Sequence, residues 1–268
     1  MTHFITAKVA AVLMTCFSAM SCVSSAENVT KAKGKVTTNG QTVNIKGVDA
    51  IYNRSSVTIH YVQGSTYSLR VDEIGQDKSE LRREGTTLVI EPVKKKKNNN
   101  YTKTIVYLTL PEIKKVKNSG VMDIDASTME SAAMQWDNKG VITVNIDRIR
   151  CSGNVSIYNS GVAKWNCTVS ADTVSSDISG VMKGTMKFEA NTLGIHNTGV
   201  GKMELIFKGG SFDIETSGMS TIDANVDCKK LKANNNGIGK MTISGTADDT
   251  KIDGSGVSRI DTSELNKL

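Results

Sequence analysis

Asn159-Ser160-Gly161-Val162 returns as Ile178-Ser179-Gly180-Val181, Asn197-Thr198-Gly199-Val200, Thr216-Ser217-Gly218-Met219 and Asn235-Asn236-Gly237-Ile238. The motif stands earlier as Asn118-Ser119-Gly120-Val121 and, with one substitution, as Asn138-Lys139-Gly140-Val141; its last copy is Gly254-Ser255-Gly256-Val257. From Gly120 onward these glycines are spaced 20, 21, 19, 19, 19, 19 and 19 residues apart. Five equal intervals in succession are an internal repeat, and a repeat of this kind decides the architecture before any single element is read.

Around each glycine the residues alternate. Four positions after it stand Ile124, Val144, Trp165, Met203, Ile222, Met241 and Ile260, and six after it Ile146, Cys167, Met186, Leu205 and Ile243. Eight after it come Val169, Phe188, Phe207 and Val226. Six before it lie Val155, Val174, Leu193, Phe212 and Leu231, with Ile157, Ile195, Ile214 and Ile252 two residues later. The residues between are polar or charged, which is the period of a strand with one buried face. Helical repeats have a different period and run to about 33–47 residues. A unit of two short strands cannot bury its apolar face alone. Stacked as coils of a parallel β-helix, each residue lies beside its equivalent about 4.8 Å away, so seven steps span roughly 34 Å.

The expected unit is strand, turn, strand and Asn-Ser-Gly turn. Glycine is expected to supply positive φ at each corner, asparagine to form an amide ladder, the Ser or Thr a hydroxyl ladder, and the Val or Ile after glycine to begin the inward face. The organisation read from the sequence is a leader over 1–26, a linker over 27–40, a strand-rich cap over 41–117 and repeats over 118–268. In the cap, Val43–Ile45, Val57–Tyr61, Tyr67–Val71, Leu88–Ile90 and Ile105–Leu110 read as strands punctuated by glycine. Such a region protects the first coil, whose bare edge would invite pairing. Lys94–Asn100 reads as a polar loop.

Three segments stand in an order that carries a resemblance: Val43-Asn44-Ile45-Lys46-Gly47-Val48, then Gly85-Thr86-Thr87-Leu88-Val89-Ile90, then Val106-Tyr107-Leu108-Thr109-Leu110-Pro111-Glu112-Ile113 leading into Val116-Lys117-Asn118-Ser119-Gly120. Over residues 40–256 the chain resembles the "putative auto-transporter adhesin" head domain family, the GIN domain. The resemblance implies a right-handed β-helix exported by bacteria that have an outer membrane. It brings no catalytic or binding residues to carry over. No series of alternating strands of about 10 residues, as in a membrane barrel, follows the repeats, so self-translocation is not expected.

Lys8, the apolar stretch from Val9 and the small residues Ser24-Ser25-Ala26 read as a secretory signal cleaved before Glu27. Ala19-Met20-Ser21-Cys22 offers a competing reading, a lipid anchor on Cys22. Either places the protein in the periplasm, at the outer membrane or on the cell surface. The formal net charge of +6 is uneven. Residues 27–118 hold 17 Lys and Arg against 9 Asp and Glu, and residues 119–268 hold 15 against 18. An anionic glycan or a lipid headgroup fits an exported basic surface better than nucleic acid does.

The chain holds no HExxH, CxxC or EF-hand pattern, and no cofactor or metal site is expected. His60 and His196 read as outward surface residues. Cys151 and Cys228 lie four coils apart, too far for a disulfide, and Cys167 and Cys228 read as buried thiols; whether Cys151 pairs with Cys167 stays open. Asp123 with Asp125, Asp213 with Glu215, and Asp223 with Asp227 stand two or four residues apart, near glycosidase spacing, but they scatter over different coils. Three after glycine come Lys164, Lys183, Lys202, Lys240 and Arg259, interrupted by Thr221. Stacking turns them into a basic stripe along which an anionic polysaccharide could lie. Solvated lysines whose stems cover the sheet are the bland alternative. The expected function is a non-enzymatic binding or adhesion module for a cell-surface or host glycan or protein. The alternatives are a glycan-active enzyme on the same scaffold and a structural envelope protein.

Overall fold

The computed structural model describes residues 35–38, 41–74, 79–93, 103–255 and 257–267. The leader with Cys22, most of the linker, the Lys94–Asn100 loop and Gly256 lie outside the described residues. The strands are β1 Lys35–Thr38, β2 Gln41–Asn44, β3 Ala50–Asn53, β4 Ser56–Gln63, β5 Ser68–Ile74, β6 Ser79–Glu84, β7 Thr87–Pro92, β8 Lys103–Leu110, β9 Lys115–Asn118 and β10 Val121–Ser131. They continue as β11 Met134–Asn138, β12 Val141–Cys151, β13 Asn154–Asn159, β14 Val162–Ile178, β15 Val181–Asn197, β16 Val200–Thr216, β17 Met219–Asn235, β18 Ile238–Gly254 and β19 Val257–Lys267.

From β9 onward every strand pairs in parallel with its equivalent one coil away, which makes the protein a parallel β-solenoid. Val162 lies opposite Val181, Val181 opposite Val200, Val200 opposite Met219, Met219 opposite Ile238 and Ile238 opposite Val257. The first coils follow the expected pattern of strand, corner and strand. From Val162 to Gly254 each coil is instead one unbroken strand of 17 residues. The coil starting at Val141 is longer, and it sheds its extra residues in two places. One is a bulge at Asp147, between the pairs Ile146/Cys167 and Arg148/Thr168. The other is the corner between Arg150 and Asn154, where the offset to β14 falls by one more residue.

The N-terminal strands close one end of the column by doubling back. β3 and β4 stack in register on β9 and β10, and β7 and β8 stack on their other side. β5 and β6 then run antiparallel to β8 and β7 as the outer layer. The β1–β2 hairpin lies against β5 and β6. Reversing direction here turns a growing parallel edge into a covered one.

The even positions counted from each glycine face inward, as the alternation requires. Trp136 and Trp165 meet edge to face at 5.0 Å, and Phe207 and Phe212 cross the interior at 5.3 Å. These aromatics and the stacked Ile, Val, Leu and Met rows are almost wholly buried. Burial of this kind is the main stabilising term, and each additional coil extends it.

Candidate interaction face

Among the described residues the corner glycines do not have positive φ; the glycines that do are Gly47, Gly85, Gly184, Gly239 and Gly245. The expectation of positive φ at each corner is therefore corrected, and the real reason is crowding. A Cβ on Gly140, Gly161, Gly180, Gly199, Gly218 or Gly237 would sit 1.9–2.1 Å from the carbonyl oxygen of the glycine one coil earlier, far inside van der Waals contact. That carbonyl accepts the amide of the residue after glycine, as in Val141 N to Gly120 O at 2.9 Å and Val162 N to Gly140 O at 2.9 Å. Any side chain at the corner would push successive coils apart.

The amide ladder is present where asparagines run consecutively. Asn53 donates to Asn118 at 2.8 Å, Asn118 to Asn138 at 2.8 Å and Asn138 to Asn159 at 2.7 Å. Ile178 breaks it, and Asn197 then donates to Thr216 at 3.3 Å. Each asparagine of the first run also donates to the carbonyl of the residue that opens a later strand: Asn118 to Val141 at 2.9 Å, Asn138 to Val162 at 3.1 Å and Asn159 to Val181 at 2.9 Å. The hydroxyls do not ladder with one another. Ser119, Ser160 and Thr198 donate instead to backbone carbonyls of the preceding corner.

Strand parity passes through the corner unbroken, and this overturns the expectation that the residue after glycine starts the inward face. Positions two and four after glycine point in, so position one points out. Val121, Val141, Val162, Val200, Met219, Ile238 and Val257 are 44–79% exposed, and Val181 is half-buried. Paired in register, they form a single-file apolar ridge along the convex corner.

Two residues further along the same outward face stands the basic stripe. Lys164, Lys183, Lys202, Thr221, Lys240 and Arg259 are successive register partners, and all are exposed. The stripe divides electrostatically. Lys240 and Arg259 both reach Asp261, at 3.7 and 3.5 Å. Lys164, Lys183 and Lys202 make no ion pair among the described residues. The next outward column beside the first two of them is uncharged, Asn166 and Thr185. Beside Lys202 that column holds Glu204, which accepts from Thr185 at 3.0 Å. Three like charges about 4.8 Å apart, none in an ion pair among the described residues, make a local positive field.

Among the described residues, of the acidic candidates only Asp213 and Glu215 line a common recess, a shallow one of about 250 Å³ shared with Asp177 and His196. Asp123 pairs with Lys103 at 3.3 Å, Asp125 with His60 at 2.9 Å, Asp213 with Lys232 at 2.9 Å and Asp227 with Lys208 at 3.1 Å. His60 also stacks on Tyr107, which lies under the Arg70 guanidinium. His196 is exposed, 3.9 Å from Glu215. A broad groove was not foreseen from sequence, because the corners of several coils build it. It measures about 780 Å³ and is lined by Gln63, Glu112, Glu130, Arg150 and Glu189 among others. Glu130 is held by Arg150 at 2.8 Å, Glu112 accepts from Ser131 at 3.1 Å, and Glu189 accepts from Ser170 at 3.0 Å. Hydrogen bonds from Lys187 and Ser170 hold the Glu189 carboxyl below the usual carboxylate range.

Cys151, Cys167 and Cys228 are buried and free, and Cys151 does not pair with Cys167. Burial pushes the thiols up, to about 11 at Cys151 and Cys228 and about 12 at Cys167.

This is the architecture of a repeat-built β-solenoid with open outward faces. Residues 193–267 match the family described as "Putative auto-transporter adhesin, head GIN domain", which bears out the resemblance read from the sequence. The match falls on the last coils. The crystal structure of a "putative adhesin" from Bacteroides fragilis NCTC 9343 is similar in fold, with a TM-score of 0.54 and 20% sequence identity. The similarity covers 81% of this chain and 93% of the other. No curated protein matches the sequence.

Proposed function

We propose that this protein is an exported, adhesin-like binding module of the cell envelope, and that it does not act as an enzyme. The observation that carries the reading is the row of three lysines, Lys164, Lys183 and Lys202, without an ion pair among the described residues and held in register on one open face. A polyanionic ligand laid along the solenoid would meet a charge at each coil. Support for binding over catalysis comes from the carboxylates of the corner groove: Glu112, Glu130 and Glu189 are each held by an ion pair or a hydrogen bond. The family match and the similar fold of the adhesin-described protein support an adhesive role. The reading places the chain in the periplasm or at the outer surface.

The test is a screen of the exported portion, residues 27–268, against sulfated, uronic-acid and neutral glycans with a salt titration. Saturable binding to the anionic members is expected. It should weaken with salt and fall at least about tenfold when Lys164, Lys183 and Lys202 are all changed to Glu. Lys240→Glu should matter far less, because Asp261 already occupies that end of the stripe. Binding that survives the triple change would remove the stripe as the site.

A further inference from the structure

The apolar ridge has no task inside the fold. Its side chains point away from the core, and the glycine carbonyls, with the Asn ladder as far as Val181, already hold its backbone. Thr would satisfy the strand preference at these positions equally well. Yet seven of the eleven large apolar side chains exposed among the described residues stand in this one file. Scattered exposed apolar residues are ordinary, but a contiguous row rimmed by polar residues marks a contact surface.

The two flanks of the ridge differ. On one side, on the same strand face, run Lys164, Lys183 and Lys202, about 7 Å from Val162, Val181 and Val200 by strand geometry. On the other side the corner carries small polar residues such as Ser160, Ser179, Thr198 and Ser217. These leave the ridge as the most protruding line of the corner. Beyond them, on the adjoining face, stand Asp177 and Glu215. The molecule thus has an apolar crest with Lys164, Lys183 and Lys202 on one shoulder; Glu204 and Asp223 share that face one column further from the crest, and Asp177 and Glu215 lie on the adjoining face.

We propose that this strip docks the solenoid lengthwise on an anionic lipid bilayer. The Val ridge enters the boundary between headgroups and acyl chains, and the lysines meet the lipid phosphates. Apolar area set beside positive charge is what gives interfacial segments their affinity for anionic membranes. A file one side chain wide on a convex corner offers too little area for a stable dimer, which needs about 800 Å² from each partner. A fluid interface makes no such demand for a matching shape. The inference rests on the reading above that the lysine stripe meets a polyanion, and it names that polyanion as a lipid surface.

The experiment uses residues 27–268, which exclude any anchor on Cys22; the described residues form one compact unit. Flotation is measured with vesicles of phosphatidylglycerol and phosphatidylcholine, and with phosphatidylcholine alone. Three proteins are compared: the parent, a ridge variant (Val162→Thr, Val181→Thr, Val200→Thr, Met219→Thr) and a stripe variant (Lys164→Gln, Lys183→Gln, Lys202→Gln). Circular dichroism and melting confirm that each variant is folded. The parent is expected to float with anionic vesicles only. Both variants should bind these vesicles at least about tenfold more weakly, and the ridge variant should keep any binding to soluble anionic glycans. If the ridge variant floats like the parent, the inference fails while the stripe reading stands. Failure of the parent to float overturns the inference, as does a parent dimer that the ridge changes dissociate. If the stripe variant keeps both glycan and vesicle binding, both readings fall.

Discussion

At the scale of the residue, the corner glycine shows how one composition can be right for another reason. Gly161 is required because its missing Cβ would meet the carbonyl of Gly140, while its φ lies outside the left-handed region. Gly161→Ala should therefore cost at least about 1–3 kcal/mol, the range for overpacking, and Gly161→Asn should not be milder, as it would be at a left-handed corner. Urea denaturation of both variants checks this. Asn138 donates to Asn159 and to the Val162 carbonyl and is buried. Asn138→Ala would strand these acceptors and should cost about 1–3 kcal/mol. The thiols give the pH prediction. Their folded values of about 11 and 12 lie above the ordinary value of about 8.5 for an unfolded thiol. Stability from this source is complete below about pH 8.5 and is lost as pH rises through 11 and 12. Denaturation measured from pH 8 to 11 should show the loss, and the Cys167→Ala variant should show less of it. At pH 8 all three thiols should react with a disulfide reagent only on unfolding.

At the scale of the element, register is the quantity under control. One residue of slip turns every inward side chain outward, and the chain tolerates extra residues only where a bulge or corner absorbs them. Asp147 is such a residue. Its deletion closes the ladder to β14 and passes the unpaired position to Ser127 of β10, so it should cost less than a slip inside the regular coils. Deletion of Asn166, inside the regular pairing of β14, should disrupt the coil, because Cys167 and Val169 would exchange faces with Thr168 and Ser170. Melting curves of the two deletions separate these outcomes.

At the scale of the whole molecule, the column is a stack whose coils contact mainly their neighbours, so its stability sums over coils. Removing residues 181–199 takes out one coil and joins Gly180 to Val200 in the same register. The shortened chain should fold and melt cooperatively, with a lower midpoint and weaker polyanion binding because Lys183 is gone. Removing residues 181–198 should leave the C-terminal coils misregistered. Circular dichroism and calorimetry tell the two apart.

The sequence by itself determined the repeat, the strand alternation, the parallel stacking and the membership of the basic stripe. Each of these follows from a period, and a period is visible in one dimension. Residues 19 apart become neighbours in the stack, which is why Lys164, Lys183 and Lys202 could be named as one column. Only the tertiary structure decided what depends on distances between coils. It made the corner glycine a matter of close approach and sent the hydroxyls to backbone carbonyls. It revealed that parity runs through the corner, so that the valines form an exposed ridge. It also doubled the N-terminal strands back into a cap with an antiparallel outer layer and assembled the corner groove. Pairings between strands far apart in sequence and of no common period leave no regular trace along the chain. The neutralisation of Lys240 and Arg259 by Asp261 is of the same kind, because it depends on side-chain reach across the sheet and not on spacing along the chain.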